Sequence, residues 1–475
     1  MTRVTRKTAD TVLGNGLRVV AVRTPGAPLA ELRLVLPYAR IDPRGAAVQQ
    51  LLADCLTAAV GDRARQDVAD LAADLGAELN TVVTAESLIV ATGVLAEGLP
   101  GALALLADLV LRPVYPEPEL AAAARRLAAV RETGGDRQRL RQAFLEHAFG
   151  AGHPHHTPAA AAFERAEPVR TEELYALHAR AVVPDGAVLL VMSAEEPDRV
   201  TALVDELLGG WTGGPSGLVL PPFARSTPRP GRLALAPAEG TARQALVLAA
   251  GPAVPAADPG HAPLHLAELM LGGYASALLA RRVRDRHGLA YAVSASVREN
   301  RAGSWLEIES AGAPGTAERT VEEVVGCLRE LAGNGPDPRE VERARAYACG
   351  FTRFALATRS EEASALAGFV AAGLPLDWLD GYRDTLRGVT ADQVADAARQ
   401  FLAPDAFLIA TLDNAATVDN VAARDGAATL DSAATLDSAD SADSAVTRDS
   451  ASTLASAAAA PGAATLDTHQ PERPR

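Results

Sequence analysis

The sequence predicts an α+β protein of two homologous domains, each a mostly antiparallel sheet covered by helices. The first observation behind this prediction is an internal repeat. Two apolar alternating segments lead to Asp42-Pro43, and two similar segments lead to Asp258-Pro259, 216 residues later. The second observation is that Pro116-Glu-Pro-Glu119 and Pro336-Asp-Pro338, each lying between two helical segments, are 220 residues apart. An offset that stays nearly constant over strands and helices indicates two copies of one fold.

Short alternating runs predict the strands of each copy, and Pro and Gly predict where they end. In the first half, residues 17–22 and 32–36 have the period-two pattern of strands, with a Pro/Gly turn between them. In the second half, residues 233–235 and 245–248 repeat the pair around a turn at Glu239-Gly240. In both halves an Asp-Pro pair then predicts the start of a helix.

Changes in composition set the domain boundaries. We predict two domains at residues 1–222 and 232–413, joined by a turn-rich, poorly periodic linker at residues 223–231. Residues 414–475 are rich in Ala, Ser, Thr and Asp and contain no Phe, Trp or Tyr. Such a segment buries too little apolar area to offset its ordering entropy, so a disordered acidic tail is expected.

Composition and charge exclude several classes of function. With 475 residues, 48% of them hydrophobic, the chain is long enough for more than one core. A formal net charge of -14 argues against a nucleic-acid-binding surface. We expect no membrane span, because no run of about 18 uncharged apolar residues occurs, and no disulfide between the three scattered cysteines. Without a signal-peptide pattern, a cytoplasmic location is expected.

Several short motifs of the first half occur in the order typical of one protease family. They are Asn15-Gly16-Leu17-Arg18, Leu75-Gly76-Ala77, Arg112-Pro113-Val114-Tyr115-Pro116 and His153-Pro154. In the second half, Leu271-Gly272-Gly273 is followed by Arg284 and then by Gly288-Leu289-Ala290-Tyr291. The chain therefore resembles the pitrilysin/insulinase zinc metalloproteases, especially the mitochondrial-processing-peptidase-like members, over roughly residues 12 to 413. The resemblance implies two such domains forming half of a clam-shell chamber.

The resemblance also implies where a zinc site would lie. Active members carry His-x-x-Glu-His on the first long helix, where two His ligands bind zinc and the Glu activates its water. The matching positions here are Gln50-Leu51-Leu52-Ala53-Asp54. Gln50 is a poor zinc ligand, Ala53 cannot accept a proton, and Asp54 supplies at most one oxygen. We therefore expect a degenerate motif that holds no metal, with Glu132 an improbable third ligand.

Two histidine groups are alternative metal sites. His153-Pro154-His155-His156 is interpreted as a structural turn with exposed rings rather than as a ligand set. His261 and His265 have the i, i+4 spacing of zinc ligands, with Glu268 one turn further on. His261 is expected in the first turn of its helix, in a segment where the resemblance implies packing, so ligation is not favoured there either.

Arg284 and Tyr291 are the predicted substrate-binding residues. Gly288 lies between them and is expected to end the helix and turn the chain into a strand. In the family, an Arg and a Tyr at matching positions face the zinc across the chamber. The Tyr hydroxyl can donate to an oxyanion and the Arg can hold a substrate carbonyl. The alternative is that Arg284 pairs with Asp285 and that Tyr291 begins a half-buried strand.

The resemblance thus implies a non-catalytic, substrate-binding subunit of a heterodimeric zinc metallopeptidase. Peptidase activity is then expected only with a homologous partner that carries an intact zinc motif and the zinc itself. The peptide substrate is expected to bind as an added strand. One alternative is a structural or binding module without a role in proteolysis, like the family's core subunits. The other is a self-sufficient hydrolase that uses the histidine groups.

Overall fold

A computed structural model of the chain describes residues 7–26, 28–38, 42–156, 168–213, 227–238, 240–354 and 356–414. Residues 223–226 of the expected linker lie outside the described residues, and so do residues 415–475 of the expected tail. In the described part of the chain, no helix is both long enough and apolar enough to cross a bilayer.

The described residues contain eleven strands in two sheets. The strands are β1 Thr8–Val12, β2 Arg18–Arg23, β3 Leu29–Pro37, β4 Glu78–Val83, β5 Ser87–Leu95, β6 Val188–Ser193, β7 Gly231–Leu235, β8 Ala245–Pro252, β9 Ala290–Asn300, β10 Gly303–Gly312 and β11 Leu408–Leu412. The first sheet has the order β1-β2-β6-β3-β5-β4 and the second β7-β11-β8-β10-β9. Apart from β1, the second order repeats the first strand for strand.

The hydrogen-bonding pattern repeats as well. The pairs β2 with β6 and β7 with β11 are parallel, and the other ladders in both sheets are antiparallel. The repeat seen in the sequence therefore corresponds to two sheets of one topology. The predicted α+β class with mostly antiparallel sheets is confirmed.

Helices cover both sheets. They are α1 Pro43–Leu56, α2 Arg65–Asp74, α3 Leu99–Leu111, α4 Glu117–Ala148, α5 Thr171–Ala181, α6 Pro197–Leu208, α7 His261–Glu268, α8 Ala317–Asn334, α9 Pro338–Phe354, α10 Arg359–Ala371, α11 Trp378–Gly388 and α12 Ala391–Phe401. As the Asp-Pro pair predicts, α1 begins directly after Asp42, whose Oδ1 accepts a hydrogen bond from Gly45 N at 2.7 Å.

The segment around the two adjacent glycines is π-helical. Leu269–Gly273 and Ala280–Arg286 both have this wider winding. A Cβ atom on Gly272 would lie 2.6 Å from the backbone nitrogen of Ala295, so only glycine lets this segment lie directly against β9. Gly272 thus has a packing role.

In each half of the chain, one helix packs on the sheet of the other half. The helix α10 of the second half packs on β3 and β6 of the first sheet. In return, α4 of the first half packs on β8 and β11 of the second sheet. Apolar residues of the first sheet, including Val20, Val35 and Leu190, accordingly belong to the same buried cluster as the core of the second half. One face of the first sheet therefore belongs to the core of the second half, while its other face packs in a separate cluster.

A buried arginine fixes the position of α10. Arg33 on β3 is buried and donates to Ser360 Oγ at 2.8 Å and to Ser364 Oγ at 3.0 Å. Its charge is balanced by Glu31, 3.0 Å away. Burial lowers the pKa of Arg33, and the neighbouring Glu31 carboxylate partly opposes that shift. The position of α10 on the first sheet is thus stabilised by hydrogen bonds as well as by apolar packing.

Candidate functional site

The degenerate zinc motif lies on α1, beside the edge strand β4. Gln50 and Asp54 are one turn apart, and Gln50 Nε2 donates to Asp54 Oδ1 at 3.1 Å. Between them on the helix, Ala53 is buried, and its carbonyl accepts a hydrogen bond from Thr81 Oγ1 on β4 at 3.1 Å. The two polar side chains where metal ligands would lie therefore bind each other.

The chemistry of these side chains does not suit zinc. Gln50 offers a neutral amide, Ala53 offers no donor atom, and Asp54 is the one carboxylate, with no imidazole among the three. Burial raises the pKa of Asp54, while the Gln50 hydrogen bond and the Arg126 charge oppose the rise. Across the described ranges, no group of three or more His, Cys, Asp or Glu side chains is arranged to hold a metal. Glu132 lies on α4, and its side chain is outside the described positions.

Arg284 and Tyr291 lie on the two sides of one turn. Gly288 has a φ of +59°, and the turn is closed by hydrogen bonds from Gly288 N to Arg284 O at 3.1 Å and from Leu289 N to Val283 O at 2.9 Å. The π-helical segment of Arg284 ends here and β9 begins at Ala290.

The Arg284 side chain makes local bonds. Its Nε donates to Asp285 Oδ1 at 2.8 Å, and its terminal nitrogen donates to the Ala275 carbonyl at 2.9 Å. The side chain remains 40% exposed. The alternative pairing with Asp285 is thus present, and it leaves part of the guanidinium open to solvent.

Tyr291 is exposed at the end of an edge strand. The β9–β10 register passes from Ala290 with Gly312 to Ala292 with Ala311, so Tyr291 is the bulged residue. It is 53% exposed. Its hydroxyl oxygen accepts a hydrogen bond from Gln244 Nε2 at 2.8 Å, which leaves the phenolic proton available for donation.

The strand that begins beside Tyr291 is an edge of its sheet. In the described part of the chain β9 pairs with β10 on one side and is the last strand in the order. Its counterpart β4 is the edge of the first sheet, next to α1. An edge strand presents backbone donors and acceptors that an extended peptide can pair with.

His261 and His265 form a buried network with a tyrosine. Each donates to or accepts from the Tyr382 hydroxyl through Nδ1 at 2.9 Å, and His261 Nε2 lies 3.0 Å from Glu299 Oε1. As expected, His261 is in the first turn of its helix. Both rings and Glu268 are buried. The i, i+4 histidines therefore tie α7 to α11 instead of presenting an open ligand set.

This network predicts a pH effect on stability. Burial, with the nearby His261, lowers the pKa of His265 to about 3, against about 6.5 in an unfolded chain. The folded state then binds fewer protons than the unfolded state between these values. The contribution of neutral His265 is therefore complete above pH 6.5 and is lost as the pH falls, by about 2 kcal/mol at pH 5.

Urea unfolding of the wild type and of His265→Gln at pH 7 and pH 5 measures this loss. Burial raises the pKa of Glu268 well above its usual value. At Glu268 the folded state therefore binds more protons than the unfolded state, so its effect on stability has the opposite pH dependence to that of His265. The readout is therefore the difference between the two proteins, which should shrink by about 2 kcal/mol from pH 7 to pH 5. A difference that does not change with pH contradicts the prediction.

The histidines after α4 are packed, which corrects the expectation of exposed rings. His153 stacks on Phe149 with ring centroids 4.3 Å apart, and His155 meets Trp305 edge-on at 5.3 Å. Burial lowers the pKa of His153 to about 4, and the neighbouring His155 adds to that shift. These rings fill the contact between the two halves, because Trp305 belongs to β10.

Glu86 stabilises the same contact between the two halves of the chain. It is buried in the turn before β5, and its two carboxylate oxygens accept hydrogen bonds from Arg301 N and Ala302 N, each at 2.7 Å. These amides belong to the hairpin between β9 and β10. Burial alone would raise the pKa of Glu86, but the His155 contact and the two amides outweigh it and lower the pKa.

Glu86→Gln is expected to destabilise the protein by about 2–3 kcal/mol. An amide offers one acceptor oxygen, so one backbone N–H of the hairpin would face an NH₂ group. Urea unfolding measures the loss. Glu78→Gln, an exposed glutamate on the same sheet, is the matched control and should change stability by less than about 0.5 kcal/mol. Equal losses of stability in the two variants would contradict a stabilising role for the hydrogen bonds from the hairpin to Glu86.

Sequence reasoning missed two residues that shape this region. Gln244 orients the Tyr291 hydroxyl across 47 positions of sequence, and Glu86 caps the hairpin across more than 200. Neither lies in a motif. A polar residue just before the apolar run of β8 was the only local signal for Gln244.

Comparisons with known proteins agree with this architecture. Residues 168–347 match the family model described as peptidase M16 inactive domain. This segment runs from before α5 into α9 and contains both Arg284 and Tyr291. No curated protein matches the chain.

Solved structures share the fold at low sequence identity. The crystal structure of a peptidase M16 inactive domain from Pseudomonas fluorescens has a TM-score of 0.76 at 20% identity, covering 86% of this chain and 98% of that one. A protease from Helicobacter pylori has a TM-score of 0.77 at 15% identity, with 86% and 100% covered. A conserved protein from Enterococcus faecalis V583 has a TM-score of 0.71 at 13% identity, with 86% and 99% covered. The predicted resemblance is thus confirmed at two levels: residues 168–347 are similar to the peptidase M16 inactive domain, and the chain shares the fold of these solved structures.

Proposed function

We propose that this chain is the non-catalytic, substrate-binding subunit of a heterodimeric zinc metallopeptidase that cleaves peptides. The observation that carries the proposal is Tyr291, an exposed phenol at the bulged start of an edge strand, whose oxygen is held by Gln244. A held oxygen with an available proton is the arrangement that a donor to a developing oxyanion needs.

The peptide would bind along β9. Its backbone would pair with the outer edge of that strand, which places a scissile carbonyl near the strand's first residues. Arg284, 40% exposed on the other side of the Gly288 turn, would donate to a neighbouring carbonyl. The chain's share of the reaction is therefore to hold the peptide and to donate hydrogen bonds to its carbonyl oxygens, from Tyr291 to the one on which negative charge develops.

The other half of the reaction belongs to a partner in this proposal. Gln50, Ala53 and Asp54 provide neither ligands nor a base, so water activation would come from a homologous subunit with an intact His-x-x-Glu-His. Zinc bound there would supply Lewis-acid activation of the water. The match to the peptidase M16 inactive domain supports this division of labour.

The alternative, a structural or binding module without proteolysis, has one observation in its favour. Both bonds of Arg284 are intramolecular, to Asp285 and Ala275. If those bonds are its only role, Arg284 stabilises the π-helical segment and contacts no substrate.

Reconstitution separates the two functions. A neighbouring reading frame encoding a similar chain with an intact zinc motif would provide the partner, and the two chains would be purified alone and together. The proposal expects cleavage of a fluorogenic peptide library only by the mixture, with zinc in proportion to the partner. A stable complex whose activity equals that of the partner alone would overturn the proposal and favour the structural module.

A further inference from the structure

A row of four aromatic side chains runs along α9. Between ring centroids, Tyr274 lies 5.2 Å from Tyr347, which stacks on Phe351 at 5.3 Å. Phe354 follows Phe351 at 6.2 Å. The three members on α9 are spaced i, i+4 and i+7, so they lie on one side of the helix. Aromatic residues make up only 4% of the chain, so this aromatic row is an unusual concentration of them.

The aromatic row is packed at one end and exposed at the other. Tyr274 and Tyr347 pack against the buried core of the second half. Phe354, the last residue of α9, is 70% exposed, which is the largest exposed fraction among the large apolar side chains of the described residues. Because exposing apolar surface to water is unfavourable, a contiguous apolar patch on a protein surface is typical of a binding site.

The packed end of the row lies next to Arg284. The terminal nitrogen of Arg284 donates to the Ala275 carbonyl at 2.9 Å, and Ala275 directly follows Tyr274 in the chain. The aromatic row is therefore continuous with the surface on which the peptide is proposed to bind. A peptide whose carbonyl is held by Arg284 would have this end of the row within reach of a nearby side chain.

An exposed cation lies beside the same end of the row. Burial raises the pKa of Tyr274, and the charge of Arg343 is one of those that oppose the rise, so this guanidinium is close to the phenol. Glu340, whose charge adds to the rise, pairs with Arg281 at 2.9 Å. Arg343 is exposed and forms no ion pair with another described residue. A carboxylate of a ligand would complement it.

The length of α9 sets the spacing of the ligand groups that could use both features. Arg343 and Phe354 are eleven positions apart on this helix, which corresponds to about 16 Å at 1.5 Å per residue. An extended peptide advances about 3.3 Å per residue, so about five positions cover the same distance.

We propose that the aromatic row and Arg343 form a specificity subsite for the peptide substrate, selecting an aromatic side chain about five positions from an acidic one. The inference rests on the proposed function for its ligand, a peptide held at Arg284. The acidic side chain would pair with Arg343, and the aromatic side chain would pack on Phe354 and Phe351. A basic side chain in place of the acidic one would meet like charge, and a small polar one in place of the aromatic would leave Phe354 in water.

Titration of the isolated full-length chain with a fluorescein-labelled peptide, followed by anisotropy, tests the proposal. The probe is Asp-Ser-Thr-Ser-Thr-Phe-Thr-Ser-Thr-Ser-Asp, which presents the same spacing in either chain direction. Saturable binding is expected. Replacing the Phe of the probe by Ala should raise the half-saturation concentration at least about tenfold, because the peptide ring is no longer buried. Replacing both Asp residues by Asn should raise it about threefold, as for an exposed ion pair.

Variants of the chain assign these effects to the two parts of the subsite. Phe354→Ser should weaken binding of the probe about fivefold and leave binding of its Ala version unchanged. Arg343→Gln should weaken binding of the probe about threefold and leave binding of its Asn version unchanged. Val12→Ser, at a 63% exposed apolar residue on β1, and Arg125→Gln, at an exposed arginine on α4, are the matched controls.

The titration needs no partner subunit, so its outcome is separate from that of the reconstitution. Equal affinity for the probe and its Ala version, or equal effects of Phe354→Ser and Val12→Ser, would overturn the subsite even if the reconstituted complex cleaves peptides. Reconstitution without cleavage would overturn the proposed function, and the affinities of the isolated chain for the probe and its versions would still decide whether the subsite exists.

Discussion

Tyr291→Phe is expected to lower kcat of the reconstituted peptidase by about 10²-fold with little change in KM. The hydroxyl would interact with the oxyanion in the transition state and only weakly with the ground-state carbonyl, so its removal acts on kcat. The ring itself is 53% exposed and sits at a bulge, so the substitution should leave folding intact. Steady-state kinetics on one peptide, with thermal melting as a folding check, measures the effect.

Three further variants separate the contributions of the residues around Tyr291. Gln244→Leu keeps the hydroxyl and loses its orienting donor, so a smaller fall, of about fivefold, is expected in kcat. Arg284→Ala should act mainly on KM, because Arg284 would bind the substrate backbone. Arg286→Ala, at an exposed arginine two positions on, is the matched control. Unchanged turnover in both Tyr291→Phe and Arg284→Ala would remove these residues from the site.

Arg141→Met is expected to destabilise the folded chain by about 3 kcal/mol. Arg141 on α4 donates to Glu307 Oε2 at 2.6 Å and also pairs with Glu309, both on β10. Glu307 is almost fully buried. Burial alone would raise its pKa, but the charges of Arg141 and Arg298 outweigh it and lower the pKa. Without Arg141, part of that charge would remain buried and uncompensated.

Chemical unfolding with matched variants checks the assignment. Arg139→Met removes an exposed arginine of the same helix, which pairs with Asp136, and should cost less than about 1 kcal/mol. Arg141→Met/Glu307→Gln should recover part of the loss, because the second change removes the stranded charge. A single-variant loss no larger than that of Arg139→Met would show that Arg298 alone neutralises Glu307.

Much of the fold follows from local sequence. The Asp42 cap, the Gly288 turn and the apolar alternation of the strands are each decided by a few neighbouring residues, and their repetition predicts the repeated sheet order. The exchange of α4 and α10 could not be predicted in this way. An apolar helix face specifies that it is buried but not which of two similar sheets buries it.

The residues of the candidate site also differ in whether local sequence could predict them. Arg284 and Tyr291 could be named because they lie in one short motif, whereas the role of Gln244 depends on two strands meeting in space. The His261 and His265 spacing fits a metal site as well as a packed helix. Only the position of Tyr382, more than 100 residues away, shows that their Nδ1 atoms are already bonded.

The exchange of helices also bears on how a duplicated protein of this kind could arise. A single repeat folded alone would leave the face that α4 or α10 now covers exposed to water. Two identical copies would have closed it by trading those helices, which is a domain-swapped dimer. Within one polypeptide the exchange makes the two repeats a single folding unit, because each repeat needs a helix of the other to cover its sheet.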